Sequence, residues 1–208
     1  MTHLRITHTT RIFTPVLMAL MLMWSIGAKG ESGMEQAFAS MPDSIIPYLT
    51  KNNRLDCIDF IKNNMKAEVE NLFGGKTVMT VMTDNYLKLQ LNQITDVEMK
   101  IFKVEGKDSI LCMAKTIKTP EADTEIKFFN LNWEEIDTIT VTQDRKTSDM
   151  KSEPIMCEAS LSKDDETITI KRRRFFSNDK ELKNEELTEQ QFKVQGSKFK
   201  VELQVINP

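Results

Sequence analysis

The spacing of hydrophobic residues changes twice along this chain. An apolar block, Ile12 to Ile26, interrupted at Thr14 and Pro15, opens it. From Met34 to about Leu72 apolar residues recur at helical intervals, and beyond Gly74-Gly75 they alternate with polar ones to the end. Between Asn53 and Met65, Leu55, Ile58, Ile61 and Met65 fall three and four residues apart, with Arg54, Asp56, Asp59, Lys62 and Asn63 elsewhere on the circumference. That spacing predicts an amphipathic helix burying the Leu55–Met65 stripe. Asn52 or Asn53 is the expected N-cap, and Pro42 and Pro47 break the preceding segment into short pieces. Ala67 to Phe73 reads as a second helix, stopped by the glycine pair.

Period-two patterns follow. Leu87, Leu89 and Leu91 alternate with Lys88, Gln90 and Asn92; Ile155, Cys157, Ala159 and Leu161 repeat the pattern, as do Phe199, Val201, Leu203 and Val205. Such strands belong to antiparallel sheets with one wet face. Val97, Met99 and Ile101 change phase to Phe102 and Val104, which indicates a bulge near Ile101 or burial on both faces. Turn residues at 83–85, 105–107, 162–165 and 196–197 separate about nine strands. Gln143 to Glu153 reads as a polar loop, and Ser177 to Gln191 as a long connection or a short solvated helix. The expected fold is α+β: two or three short N-terminal helices, within about 34–72, packed on a curved, mostly antiparallel sheet of about nine strands within about 76–206.

The apolar block itself is about 15 residues, short of the roughly 20 a membrane-spanning helix needs, and it follows Arg5 and Arg11 and precedes small residues. It reads as a secretory signal peptide, residues 1–30, leaving one domain over 31–208. Cleavage removes His3 and His8, which are the only histidines of the 208 residues, together with Arg5, Arg11 and Lys29. What remains has 25 Lys and Arg against 31 Asp and Glu, a net charge of −6. That balance argues against nucleic acid as a partner. No later stretch reaches transmembrane length, so no anchor is expected after cleavage.

Without histidine, Ser-His and Cys-His nucleophile pairs and the usual His-containing metal sites are excluded, and neither a metal nor a cofactor is expected. Gly75-Lys76-Thr77 echoes the end of a phosphate-binding loop, but Glu70 stands where that motif needs glycine. Ser148-Asp149-Met150-Lys151 and Ser160-Leu161-Ser162-Lys163 have Ser-x-x-Lys spacing without its companion strings. The carboxylate pairs Asp56 with Asp59, Glu134 with Glu135, and Asp164 to Glu166 read as solvated acids rather than a glycosidase dyad. These readings make the protein a non-enzyme. Among the three cysteines, Cys112 and Cys157 lie in similar strand-like runs, which makes them a candidate disulfide, with Cys57 left over. Lys171, Arg172, Arg173 and Arg174 are a candidate partner-binding patch, weighed against the charged wet face and exposed edge of a strand. Nine methionines remain after cleavage, as core or as the lining of an adaptable cavity.

Met41-Pro42-Asp43-Ser44-Ile45-Ile46-Pro47-Tyr48-Leu49-Thr50, Asn53-Arg54-Leu55-Asp56, the Gly74-Gly75 turn and the later Trp133 resemble a domain-of-unknown-function family of exported Bacteroidales proteins. The resemblance implies a Gram-negative envelope location, periplasmic, outer-membrane-associated or secreted, and brings no catalytic residues with it. In such bacteria Asp43-Ser44-Ile45, Asp108-Ser109-Ile110 and Asp137-Thr138-Ile139 look like the acceptor sequence for O-glycosylation. Ser44, Ser109 and Thr138 are therefore candidate sites, the turn around Ser109 foremost. The functional expectation is a soluble, non-catalytic binding protein of the envelope whose partner is a protein or a glycan. The alternative is a carrier holding an apolar ligand or lipid between helices and sheet.

Overall fold

The start of the main helix shows how local chemistry overrides apolar spacing. In the computed structural model, which describes residues 33–104, 109–118, 121–138, 155–178, 181–197 and 200–206, helix α1 spans Gly33–Ser40 and helix α2 spans Lys51–Lys62. The N-cap of α2 is Thr50, earlier than either asparagine expected. Its hydroxyl accepts from Asn53 N (3.2 Å) while Thr50 N donates to Asn53 Oδ1 (3.1 Å), a reciprocal capping box.

The buried face of α2 is also rotated from the expected one. Leu55 is 43 % exposed, whereas Arg54 is 1 % exposed and shares the inward face with Cys57 and Ile58. The guanidinium explains the rotation: Nη1 donates to Asp43 Oδ1 (2.7 Å) and Leu49 O (2.8 Å), and Nη2 to Met41 O (2.5 Å). Charge-assisted bonds of this kind contribute about 1.5–3 kcal/mol each, comparable to burying a leucine. They bind the proline-bracketed segment 42–47 to the helix. After Lys62 the chain turns through Asn64 at φ 55°, and Met65 N donates to Phe60 O (2.9 Å), so Met65 lies beyond the helix and is exposed.

Ala67 to Phe73 is not a second helix. Strand β1, Ala67–Glu70, buries Ala67 and Val69 and turns Glu68 and Glu70 outward. Period two governs here because Ala67 to Glu70 pair in register with Met79 to Lys76. Strands β2 (Lys76–Met82), β3 (Tyr86–Gln90), β4 (Thr95–Lys103), β5 (Ser109–Ile117) and β6 (Asp123–Phe129) follow in spatial order β1-β2-β3-β4-β5-β6, each antiparallel to its neighbour.

A second sheet replaces the expected single curved one. It contains β7 (Asp137–Thr138), β8 (Ile155–Leu161), β9 (Thr167–Asn178), β10 (Glu181–Ser197) and β11 (Lys200–Val205), ordered β7-β11-β10-β9-β8. The two-residue β7 pairs parallel to β11, and the other pairings are antiparallel. Ser177 to Gln191, expected as a connection or solvated helix, lies mostly in β10. Its backbone groups pair with β9, with a bulge between Glu186 and Thr188. The expected loop at 143–153 falls outside the described residues, as do residues 1–30, expected as a signal peptide.

The six-stranded sheet is the middle of three layers. Toward the helices it presents Leu87, Leu89, Val97, Met99, Ile101, Leu111 and Met113, packed with Met34, Phe38 and Cys57. Toward the second sheet it presents Tyr86, Phe102, Ile110, Cys112 and Ala114, packed with Leu161, Ile168, Phe192 and Val201. The phase change at Ile101 and Phe102 is thus burial on both faces; β4 pairs with β5 without a register shift.

Side chains of the middle layer also serve the backbone of β8, the edge of the second sheet. Cys157 N donates to Asp123 Oδ1 (3.1 Å), Ala159 N to Thr124 Oγ1 (3.0 Å) and Leu161 N to Glu98 Oε2 (2.9 Å). The fully buried Lys100 reaches the β8–β9 turn, where Nζ donates to Ser162 O (2.7 Å), Lys163 O (3.3 Å) and Asp165 O (2.6 Å). The alternate amides of an edge strand need partners, and here side chains supply them.

Candidate functional site

Connections β1–β2 and β3–β4 meet the exit of β5 at one end of the six-stranded sheet, and Asn71 organises them. Its Oδ1 accepts from Phe73 N (3.0 Å) and Gly75 N (3.1 Å), and its Nδ2 donates to Leu91 O (3.1 Å) and Thr77 Oγ1 (3.3 Å). A buried amide with both donors used and its oxygen doubly engaged is satisfied and rigid. Gly74 takes φ +74°, a value at which any side chain would be strained. The turn is therefore wound around its first residue, and the two residues at its apex point away from the core: Leu72 is 63 % exposed and Phe73 68 %.

Neighbouring loops brace this apex. Leu72 N donates to Tyr48 O (3.0 Å), the Tyr48 and Phe73 rings lie 4.7 Å apart at 60°, and Asn92 Nδ2 donates to the Tyr48 hydroxyl (3.3 Å). Ile94, 44 % exposed, lies in the same turn as Asn92, to whose Oδ1 its N donates (2.9 Å), and its carbonyl accepts from Lys118 N (2.8 Å). Exposed Pro47 adjoins Tyr48. The flank is basic: Lys51 is exposed at the start of α2, while Lys66 and Lys76 both pair with the single carboxylate of Glu68. Those two ammonium groups, through hydrogen bonds first and charge second, hold the Glu68 carboxyl down at about 2. An apolar apex on a rigid base is a surface for anchoring rather than for bond-making.

This site was missed from the pattern of the chain because Leu72 and Phe73 fit the helical spacing ahead of the glycines. A signal was available: two large apolar residues between an asparagine and a glycine pair are turn chemistry. Thr77, in the string that echoes a phosphate loop, is buried and donates to Leu91 O (3.0 Å).

The basic run falls on a strand in the middle of its sheet, so the exposed-edge expectation is corrected: β9 lies between β8 and β10. Alternation sends consecutive side chains to opposite faces. Lys171 pairs with Glu189 (3.6 Å) and Arg173 with Glu121 and Glu158 (both 3.6 Å), while Arg172 Nη1 donates to Gln190 Oε1 (2.9 Å). Arg174 is in β9, in register with Ile155 and Glu185; its side chain lies outside the described residues. Among the described side chains of the run, Lys171 and Arg173 therefore share one face of β9 and Arg172 takes the other, all three half-buried.

Cys57, Cys112 and Cys157 are all free thiols, so the candidate Cys112–Cys157 bridge is not formed. Cys112 is sealed in the cluster between the sheets and Cys157 lies at its margin. Ser44 is exposed in the turn after Pro42, Ser109 is half-buried where β5 opens, and Thr138 lies in β7 with its side chain outside the described residues. Asp56, Asp59, Glu134, Glu135, Asp164 and Asp165 are exposed, and no group of three metal-ligating residues occurs among the described residues. Ser148 to Lys151 lies outside the described residues. No described helix is long and apolar enough to cross a membrane.

The model of a family described as "Protein of unknown function (DUF3256)" matches residues 29–199. A solved structure of a domain of an uncharacterized protein from Porphyromonas gingivalis W83 is similar at 19 % identity, covering 84 % of this chain and 99 % of that one with a TM-score of 0.60. The likeness is one of fold. A search of curated proteins finds no match.

Proposed function

The chain belongs to this family of proteins of unknown function, and within it we propose an exported, non-catalytic binding protein that docks through the apolar end of its six-stranded sheet. One observation carries the reading: Leu72 and Phe73 are held in water by a turn wound around the buried, fully bonded Asn71. Exposing two large apolar side chains forgoes about 1.5–3 kcal/mol each relative to burying them, so a surface that fixes them outward is suited to a partner that covers them. Export rests on the basic start and apolar block of residues 1–30, and places the protein in the periplasm, at the outer membrane or outside the cell. Carriage of an apolar ligand has no comparable support, since Met34, Phe38, Leu87, Leu89 and Met99 form a single buried cluster between the helices and the sheet.

The test is fractionation of cells expressing the parent chain or a Leu72→Ser, Phe73→Ser double variant. The expected result is an about tenfold smaller share of the variant sedimenting with the envelope. Its melting temperature should stay within about 2 °C of the parent, because both side chains are already exposed. Equal sedimentation of the two proteins would overturn the proposal.

A further inference from the structure

The apolar end narrows the class of partner, and this step rests on the docking reading above. Phe73, Leu72, Ile94, Tyr48 and Pro47 together offer on the order of 300–400 Å² of apolar surface. A patch of this size is ample for a few side chains entering a bilayer interface. Composition agrees: large aliphatic and aromatic residues lie at the apex, and a tyrosine stands behind them with its hydroxyl bonded to Asn92. Such a ring, apolar in body and polar at its tip, suits the headgroup level of a membrane.

Charge points the same way. The chain as a whole is acidic, with a net charge of −3, and an anionic surface would repel most of it. Among the described residues nearest the apex the balance is slightly positive: exposed Lys51 stands with Lys66 and Lys76, which share Glu68, against exposed Glu70, a net charge of +1, while Asp96 beyond Ile94 is paired with Lys118. Local positive charge beside an apolar apex orients a protein on negatively charged headgroups. We propose that the Tyr48, Leu72, Phe73 and Ile94 end of the sheet docks on the surface of an anionic lipid bilayer, inserting Leu72 and Phe73 among the headgroups.

The experiment uses the purified protein and vesicles of phosphatidylethanolamine with or without phosphatidylglycerol. Co-sedimentation is expected with the phosphatidylglycerol vesicles and should fall about tenfold for the Leu72→Ser, Phe73→Ser variant. A Phe73→Trp variant, read as its emission difference from the parent, should shift to shorter wavelength when those vesicles are added. A Lys51→Glu, Lys76→Glu variant should lose the preference for phosphatidylglycerol. If the parent ignores both kinds of vesicle while its envelope sedimentation still depends on Leu72 and Phe73, the lipid is overturned and the docking surface stands with a protein or glycan partner. If neither assay depends on those two residues, both readings fall.

Discussion

The two faces of the six-stranded sheet are both buried, yet they are held in different ways. Against the helices the interface is apolar side chain on apolar side chain, from Met34 and Phe38 across to Leu87, Leu89 and Met99, with a buried guanidinium, Arg54, tied to the preceding turn. Against the second sheet, polar groups of the middle layer reach into the backbone of the other: Glu98, Asp123 and Thr124 to amides of β8, Lys100 to carbonyls of the β8–β9 turn. A helix satisfies its own backbone and needs only shape from its neighbour. An edge strand laid against another sheet brings unsatisfied amides, so the surface under it has to be polar in register.

That contrast predicts a hierarchy of losses. Phe38→Ala, on the helix side, removes a fully buried ring and should lower stability by about 3–5 kcal/mol, read as the denaturant midpoint. Exchanging the two buried cations for apolar side chains of similar length separates the faces more sharply. Arg54→Met leaves Met41 O and Leu49 O without their donor in a buried setting and should cost about 3 kcal/mol. Lys100→Met should cost less, about 2 kcal/mol, because Lys163 and Asp165 are exposed and water can replace the ammonium at the turn. A larger loss for Lys100→Met than for Arg54→Met would reverse this ranking of the two faces. Smaller still, Thr124→Val removes the acceptor for Ala159 N, with an expected loss of about 1 kcal/mol and faster hydrogen exchange at that amide. An unchanged rate there would show that the bond does not hold the edge of β8.

The helix face was far more legible in the sequence than the seam. Alternation at Leu87, Leu89 and Leu91 points to the core side of β3 and its continuation, and all three are buried. Alternation, however, reports one face at a time, and the evidence for a second sheet lay where it failed: Ile110, Leu111, Cys112, Met113 and Ala114 are five consecutive buried residues, the signature of a strand covered on both sides. Arg54 and Lys100 carried no signal, because a charge in an amphipathic pattern reads as solvated, and the carbonyls that claim them come from segments 5 to 65 residues away. At the candidate site the glycine pair was visible as a stop. That it serves a turn and not a helix end depends on the bonds of Asn71 to Leu91 O, a partner 20 residues on.

The thiols report on both faces without perturbing either. Burial, with Asp56 adding to it, pushes Cys57 on the helix side up to about 12, and burial together with Glu98 raises Cys112 at the seam well above the ordinary thiol value. Cys157, at the margin, is raised by the same burial, but Arg172 beside it pulls the other way. The thiolate is the nucleophile, so an elevated value and a sealed position both slow alkylation. With iodoacetamide at pH 8, peptide mass spectrometry should therefore find Cys157 modified first, and Cys57 and Cys112 only once denaturant unfolds the chain. The seam distinguishes itself in the order of the last two. If Cys112 is modified below the unfolding midpoint while Cys57 stays protected, the sheets part before the helices do, and the polar ties to β8 are the weaker of the two attachments. Modification of both in a single transition means that the ties of Glu98, Lys100 and Thr124 hold the seam as firmly as apolar packing holds the helices.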